Sequence, residues 1–340
     1  VGSLKVWLGT QRLGRLNEAA AHAALEVAGD AGVAWLDTAP IYGSHDGAVE
    51  RLVAPFLTRH PGVRVATKGG LVRDGKVFRP DGRAQVLIAA AEASLERLGR
   101  IDLWQLHAPD PRVAFGTTLR AMARLLDRGT VRALGLCNVT VGQLRDACDT
   151  FPVSAVQVEV SPLAATAVRS GVVEEALTRG IPVLAYRPLA GADRVERLLA
   201  HPEISRLAAL RATSPARVVL AWLASFGLVP LPGPSRADTV RDALGYPHAG
   251  LTPADLHLLD GVFPVGRLRV RRTERAPSVT TDREVLVVMG SPGSGKSTHA
   301  RTFESEGWLR LNRDDRGGTL EGLLAPLDGA LADGARRVVL

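Results

Sequence analysis

Four side chains set the problem. Asp37 and Tyr42 lie in Trp35-Leu-Asp37-Thr-Ala-Pro-Ile-Tyr42-Gly43, Lys68 in Val63-Arg-Val-Ala-Thr-Lys-Gly, and His107 in Ile101-Asp-Leu-Trp-Gln-Leu-His. Each stands at or just past the end of an apolar run. A phenol, with a pKa ordinarily about 10, serves as a general acid near neutrality when a neighbouring ammonium favours the phenolate. A carboxylate holds that ammonium in place, and an imidazole orients the oxygen that receives the proton. Together they suit protonation of a carbonyl oxygen while a hydride arrives at its carbon. Taken singly, each has an ordinary explanation: a helix cap for the aspartate, packing for the tyrosine, a snorkelled surface residue for the lysine, a satisfied loop residue for the histidine. Matching positions at successive strand ends favour one shared site.

A second chemistry-bearing stretch lies near the C-terminus. Gly290-Ser-Pro-Gly293-Ser-Gly295-Lys296-Ser297 follows the apolar run Val285–Met289 and precedes a helical pattern, the context a phosphate-binding P-loop requires. There the glycines let backbone N–H groups close around phosphates, Lys296 reaches the β and γ oxygens, Ser297 ligates Mg²⁺, and Thr298 follows. The four lysines are Lys5, Lys68, Lys76 and Lys296, arginine filling every other basic position. Two of them fall in these motifs, where a compact ammonium does what a guanidinium does not.

The elements that must position these residues alternate with regularity. Runs that read as strands (Leu4–Gly9, Val33–Thr38, Val63–Thr67, Ile101–Leu106, Ala133–Cys137, Ala155–Val160, Pro182–Tyr186, Leu228–Leu231) are each followed by a 3.6-period stretch. Eight such units in residues 1–265 predict a (β/α)₈ barrel, whose chemistry sits on the loops at the strands' C-terminal ends. An open doubly wound sheet would normally carry Gly-x-Gly-x-x-Gly after its first strand, and Leu8-Gly-Thr-Gln-Arg-Leu-Gly14 is not that. Pro253–Phe263 reads as one more helix with Thr252 as its N-cap. Residues 266–282 read as a basic linker, and 283–340 as an incomplete P-loop α/β domain, so that the sequence is expected to be a fragment of a longer protein.

Composition narrows the classes. Of 340 residues, 46% are hydrophobic and mean hydropathy is +0.08, with no apolar run of membrane-spanning length. Cys137 and Cys148, the two cysteines, and the absence of an apolar leader point to a reducing cytoplasm rather than a disulfide scaffold. A net charge of +7 is open to two readings, an acidic partner such as nucleic acid or an arginine-rich coding bias.

Over about residues 1–265 the chain resembles the aldo-keto reductase family. The matching stretches are Leu36–Gly43, Ala66–Gly69, Leu103–His107, Gly135-Leu-Cys-Asn138, Gln157-Val-Glu, Leu184-Ala-Tyr186-Arg187-Pro-Leu189 and Pro230-Leu-Pro-Gly233. The resemblance implies NADPH-dependent reduction of an aldehyde or ketone. Tyr42 would be the acid, tuned by Lys68 and Asp37, and His107 would orient the substrate. Asn138 and Gln157 would hold the nicotinamide carboxamide against Tyr186, with Arg187, Gly233 and Ser235 nearby and Arg236 on the 2′-phosphate. Two positions depart from the pattern: Cys137 replaces a serine, and Ala243 stands where an amide commonly meets the adenine.

Gly290–Thr298 followed by Leu311-Asn-Arg-Asp314-Asp resembles polynucleotide 5′-kinases and related P-loop kinases, which implies ATP with Mg²⁺ and Asp314 as the base toward a 5′-hydroxyl. Nucleic acid would then be a partner through this module and the linker arginines Arg267, Arg269, Arg271, Arg272 and Arg275. Two alternatives to a working reductase stay open: an end-processing protein whose barrel is accessory, and an idle barrel that binds NADPH as a regulator. The stretches Val72–Asp81 and Ala108–Phe115 read as short, featureless loops, which predicts an open pocket and a broad or bulky substrate.

Overall fold

All eight apolar runs form strands: β1 (Trp7–Gly9), β2 (Trp35–Asp37), β3 (Arg64–Gly69), β4 (Leu103–Leu106), β5 (Leu134–Cys137), β6 (Val153–Glu159), β7 (Val183–Tyr186) and β8 (Leu228–Leu231). The computed structural model describes residues 6–75, 77–268, 284–288, 296–312 and 323–339. Adjacent strands pair in parallel in sequence order from β1 to β8. The Gly9 N–H donates to the Pro232 carbonyl at 2.8 Å across the remaining seam, which brings the sheet close to a closed barrel. No helix among the described residues is long and apolar enough to cross a membrane.

Helices cover the outside of the sheet. They are α1 (Glu18–Asp30), α2 (Ala48–Arg59), α3 (Ala84–Leu98), α4 (Phe115–Asp127), α5 (Val141–Cys148), α6 (Val172–Thr178), α7 (Pro215–Ala224), α8 (Ala237–Leu244) and α9 (Pro253–Val262). Their starts are written in side chains. Asn17 accepts from the Ala20 N–H before α1, and Thr140 with Gln143 and Thr252 with Asp255 close capping boxes on α5 and α9. One outer core lies around β1, β2, α1, α2 and α8, with Leu25, Phe56, Val65 and Val240 buried. A larger one runs under α3 to α7 and α9, with Trp104, Met122, Leu144 and Trp222 buried.

The barrel interior is filled by a separate layer. Trp7 and Trp35 stack with centroids 4.4 Å apart and planes 2° from parallel, and Ala66, Leu103, Ala155, Leu184 and Leu231 surround them. Arg64 lies over Trp35, 5.5 Å from the ring centroid.

The expected loop Val72–Asp81 is not featureless. Leu71–Asp74 and Val77–Pro80 form an antiparallel hairpin in register Arg73↔Phe78, an element missed because four-residue strands give too short a pattern to read. The inference of an open pocket from a short loop therefore loses one of its two supports. Val195–Leu199 and Pro202–Leu210 form two further helices ahead of α7.

The chain divides into two compact units, Val1–Thr273 and Glu274–Leu340, a division inside the predicted linker 266–282. Most of that linker, including Arg269, Arg271, Arg272 and Arg275, lies outside the described residues. Arg267 caps α9, donating to the carbonyls of Gly261 (2.9 Å) and Val262 (3.3 Å). The second unit has strands β9 (Glu284–Leu286), β10 (Leu309–Arg310) and β11 (Arg337–Val339) in one parallel sheet, with β11 in the middle, and helices α10 (Lys296–Glu304) and α11 (Leu324–Ala332).

Candidate active site

Side chains two apart on a strand point the same way, and that rule builds the site from the interior layer. Two residues beyond Trp35, Ala66, Leu103, Gly135, Ala155 and Leu184 stand Asp37, Lys68, Gln105, Cys137, Gln157 and Tyr186. The apolar plug of the barrel thus gives way, at its C-terminal end, to a polar ring. Asp37, Lys68, Gln105, Cys137 and Gln157 are all buried.

Lys68 and Asp37 anchor it. The Lys68 Nζ donates to Asp37 Oδ2 at 2.6 Å and to the Thr38 carbonyl at 2.9 Å, with the two side chains 1% and 2% exposed. Burying both charges is tolerable because each is met by the other, the ammonium also by the Thr38 carbonyl and the carboxylate also by two amide donors. Gln105 Nε2 reaches Asp37 Oδ1 at 3.3 Å, and Gln157 Nε2 reaches Oδ2 at 3.5 Å. The Lys68 ammonium also lies 3.3 Å from the Tyr42 hydroxyl, the longest of its three contacts. His107 stands edge-on to Tyr42, centroids 6.2 Å apart. The four predicted groups therefore meet at one end of the barrel.

Burial, rather than Lys68, dominates the phenol: withdrawal from water pushes Tyr42 up to about 12, although the ammonium pulls it down. The expected fall toward neutrality does not occur in the free site. Lys68 is already matched by Asp37 at 2.6 Å, and the Asp37 carboxylate itself opposes a phenolate. Desolvation works against the charge of Lys68, but Asp37 and Tyr42 together hold it above the usual lysine range. Burial, with Lys68 adding to it, brings His107 down to about 3, so its imidazole is neutral at ordinary pH. Cys137 is pushed up to about 12 by burial and stays a thiol, donating to Gln157 Oε1 at 3.5 Å.

The opposite rim carries the residues expected to hold a cofactor. Asn138, just past β5, is exposed and has φ 57. Its amide donates to the His107 carbonyl at 3.1 Å and accepts from the Tyr186 hydroxyl at 3.0 Å. Arg187 has φ 50 and its guanidinium is 3.8 Å from Glu159. Two non-glycine residues in the left-handed region, at the ends of β5 and β7, mark strain of the kind that collects at binding sites. Gly9 and Gly233 pass close enough that a Cβ on Gly233 would touch the Gly9 carbonyl at 3.4 Å. Ser235 is half-buried, and Arg236, 73% exposed, meets Asp238 at 3.2 Å. Ala243 is buried. Two amides, a half-buried phenol ring and an exposed guanidinium are the donor set that a planar carboxamide and a phosphate dianion call for.

Gln105 was missed by residue type alone; the two-residue step from Leu103 was the signal that marked it. In the second unit, Gly290, Gly293, Gly295 and Asp314 lie outside the described residues. Lys296 and Ser297 open α10, and Thr298 is exposed on it. Among the described residues no group of His, Cys, Asp and Glu is arranged to hold a metal.

Over residues 5–263 the sequence matches the model of the aldo/keto reductase family. It is 33% identical over 246 residues to 6-dehydroglucose reductase of Novosphingobium aromaticivorans, covering 65% of this chain and 77% of that one. It is 32% identical over 213 residues to an uncharacterized oxidoreductase of Schizosaccharomyces pombe, covering 61% and 67%. In fold it resembles the aldose reductase of Schistosoma japonicum, with a TM-score of 0.62, 21% identity, and 76% and 88% of the two chains covered. The family match stops at residue 263 and leaves the C-terminal unit unassigned.

Proposed function

The chain belongs to the aldo/keto reductase family, and from that premise we propose that its barrel reduces an aldehyde or ketone with NADPH. The observation that carries the reading is the buried Lys68, 2.6 Å from Asp37 and 3.3 Å from the Tyr42 hydroxyl, with His107 beside that phenol. NADPH, when bound, supplies the hydride. Asn138 and Gln157 would hold its carboxamide against Tyr186; Arg187, Gly233 and Ser235 would contribute to the same binding surface, and Arg236 would meet its 2′-phosphate. Tyr42 keeps its proton at neutral pH and delivers it to the carbonyl oxygen, because a forming alkoxide is a stronger base than a phenolate. As negative charge moves onto Tyr42, the Lys68 ammonium stabilises it and Asp37 keeps the ammonium charged and aimed. The neutral His107 hydrogen-bonds the same oxygen and orients it. Identity of one relative as a reductase supports the direction of the reaction.

The test is a titration of NADPH fluorescence with the protein, repeated with NADH, followed by oxidation of bound NADPH on adding 4-nitrobenzaldehyde or a panel of other carbonyls. The expected outcome is tighter binding of NADPH than NADH and loss of its fluorescence with at least one carbonyl. Absence of NADPH binding would remove the assignment. Binding without oxidation by any carbonyl would favour the idle regulatory barrel instead.

A second reading concerns the C-terminal unit. It binds ATP with Mg²⁺, Lys296 on the β and γ phosphates and Ser297 on the metal. Support comes from the motif itself and from the elements before and after it in the sequence, β9, which pairs in parallel with β11, and the helix α10. The intact chain should then lose ATP binding in Lys296→Ala while carbonyl reduction is unchanged; equal ATP affinity in both forms would defeat this reading. A kinase reaction with Asp314 as base, and a nucleic-acid substrate, would build on that binding.

A further inference from the structure

The contact between Tyr42 and Lys68 is the loosest link in the site. Lys68 is fixed by two bonds of 2.9 Å or less, whereas it meets the Tyr42 hydroxyl at 3.3 Å. Tyr42 also stands on a loop, not on a strand. The distance across which Lys68 acts on the phenol is therefore set by whatever holds residues 41–46.

The loop is pressed from one side by glycines. Gly14 approaches so closely that a Cβ there would lie 2.8 Å from the Gly43 Cα, and Gly43, at φ +91, leaves only 2.9 Å between such an atom and the Ala48 Cβ. From the other side Arg73, on the hairpin, holds it. Arg73 Nη2 donates to the Ile41 carbonyl at 2.9 Å and to the Gly43 carbonyl at 3.1 Å, the carbonyls of the two residues that flank Tyr42. Its Nε meets Asp46 Oδ1 at 3.2 Å, farther along the same loop. The guanidinium lies 4.9 Å from the ring centroid of Phe78, its cross-strand partner. Arg73 is 27% exposed, while Arg79 on the other strand of the hairpin is 50% exposed.

The hairpin has a second foot. Its last residue, Pro80, accepts from Arg112 Nη2 at 2.6 Å, and Gly82 N–H donates to Asp110 Oδ2 at 3.2 Å, both on the loop that follows His107. One short element thus braces the loop of the phenol against the loop of the imidazole.

We propose that Arg73 is a positioning residue for Tyr42, its forked guanidinium fixing the loop that sets the phenol's distance from Lys68. The proposal rests on the reading of Tyr42 as the proton donor. A planar fork spans two carbonyls and a carboxylate at once, which a lysine's single nitrogen does not.

Arg73→Met and Arg73→Lys, in the full chain, test it by two independent readouts. In hydrogen exchange, the amides of Tyr42, Gly47 and Ala48, bonded to Ala39, Pro40 and His45 in the native loop, should exchange about tenfold faster or more in Arg73→Met while amides of the barrel strands are unchanged. In kinetics with 4-nitrobenzaldehyde, or whichever carbonyl the wild type reduces, kcat should fall about 10²-fold in Arg73→Met, the scale of loss that a misplacement of about 1 Å produces. NADPH affinity should hold, and Arg73→Lys should recover only part of the rate. Added to Tyr42→Phe, Arg73→Met should cost nothing further, because both act through one hydroxyl. Native-like exchange in the loop would overturn the proposal, and so would an Arg73→Met loss that persists in full on the Tyr42→Phe background. If Tyr42→Phe kills turnover while Arg73→Met turns over like the wild type, the brace alone falls. If Tyr42→Phe turns over normally, the reading of the site falls and takes the brace with it.

Discussion

The two sides of the barrel mouth are built on opposite plans. Along β2 to β4 the two charges are already engaged: Asp37 takes Lys68, Gln105 and, from β6, Gln157, and the acid and the ammonium are each 2% exposed or less. Just past β5, β7 and β8, Asn138, Arg187 and Arg236 are exposed and loosely occupied. Asn138 shares its amide between a carbonyl and a phenol, Arg187 stands 3.8 Å from Glu159, and Arg236 meets an equally exposed aspartate. A charge buried without a partner costs about 3–5 kcal/mol, so a side that handles protons has to be satisfied by the fold itself before any ligand arrives. A side that grips a ligand has to leave its donors weakly used, since bonds already made subtract from the affinity. Strain divides the same way. Both left-handed non-glycine residues of the site, Asn138 and Arg187, belong to the open side.

The comparison breaks most visibly at Tyr42. Under the proposed function, Tyr42→Phe removes the proton and keeps the ring, so carbonyl reduction should fall about 10²–10⁴-fold, the usual contribution of a positioned acid. NADPH fluorescence titration should give unchanged affinity, because the residues of the open side are untouched. Stopped-flow oxidation of bound NADPH reads the first quantity free of product release. A variant that lost cofactor affinity and rate together would show that the two sides are not separate. The wild-type rate carries a further sign. Tyr42 holds its proton up to about 12 and His107 stays neutral down to about 3. Reduction should therefore be level across the neutral range and decline in base, as the phenol loses the proton it must give.

Most of the closed side was legible in the sequence, because its chemistry sits on strands. An acid, an ammonium and an imidazole at the ends of apolar runs announce their place by period alone, and Tyr42 follows Asp37 within one motif. What escaped reading was contact across the fold. Gln105 joins Asp37 only through the pairing of Lys68 with Gln105 on adjacent strands, which no local pattern declares. The hairpin escaped for another reason: its strands are four residues long, and its Arg73 looks like any other arginine in an arginine-rich chain. The direction of the Tyr42 shift was misjudged because a nearby ammonium was weighed without the carboxylate that neutralises it and without the loss of water. On the open side, residue types gave Asn138 and Arg236 through resemblance, but neither the left-handed backbone at Asn138 nor its bond to Tyr186 could be read from composition or spacing.

The smallest expected effect is also the one that most sharpens the contrast. Arg236 lies at the N-terminal end of α8, and its present partner, Asp238, is as exposed as it is. Such a surface pair contributes little to stability, so Arg236→Ala should fold and melt like the wild type. A charge-assisted hydrogen bond to a phosphate, discounted for the exposure of the guanidinium, corresponds to a loss of about tenfold in affinity. That loss should appear for NADPH and not for NADH, which lacks the 2′-phosphate. At saturating NADPH the rate of carbonyl reduction should be unchanged, since nothing on the closed side has moved. Tyr42→Phe and Arg236→Ala would then be mirror images, one losing rate at constant affinity and the other affinity at constant rate. Equal weakening of NADPH and NADH by Arg236→Ala would mean that the arginine supports the loop rather than the phosphate, and the open side would have to be redrawn around a different cation.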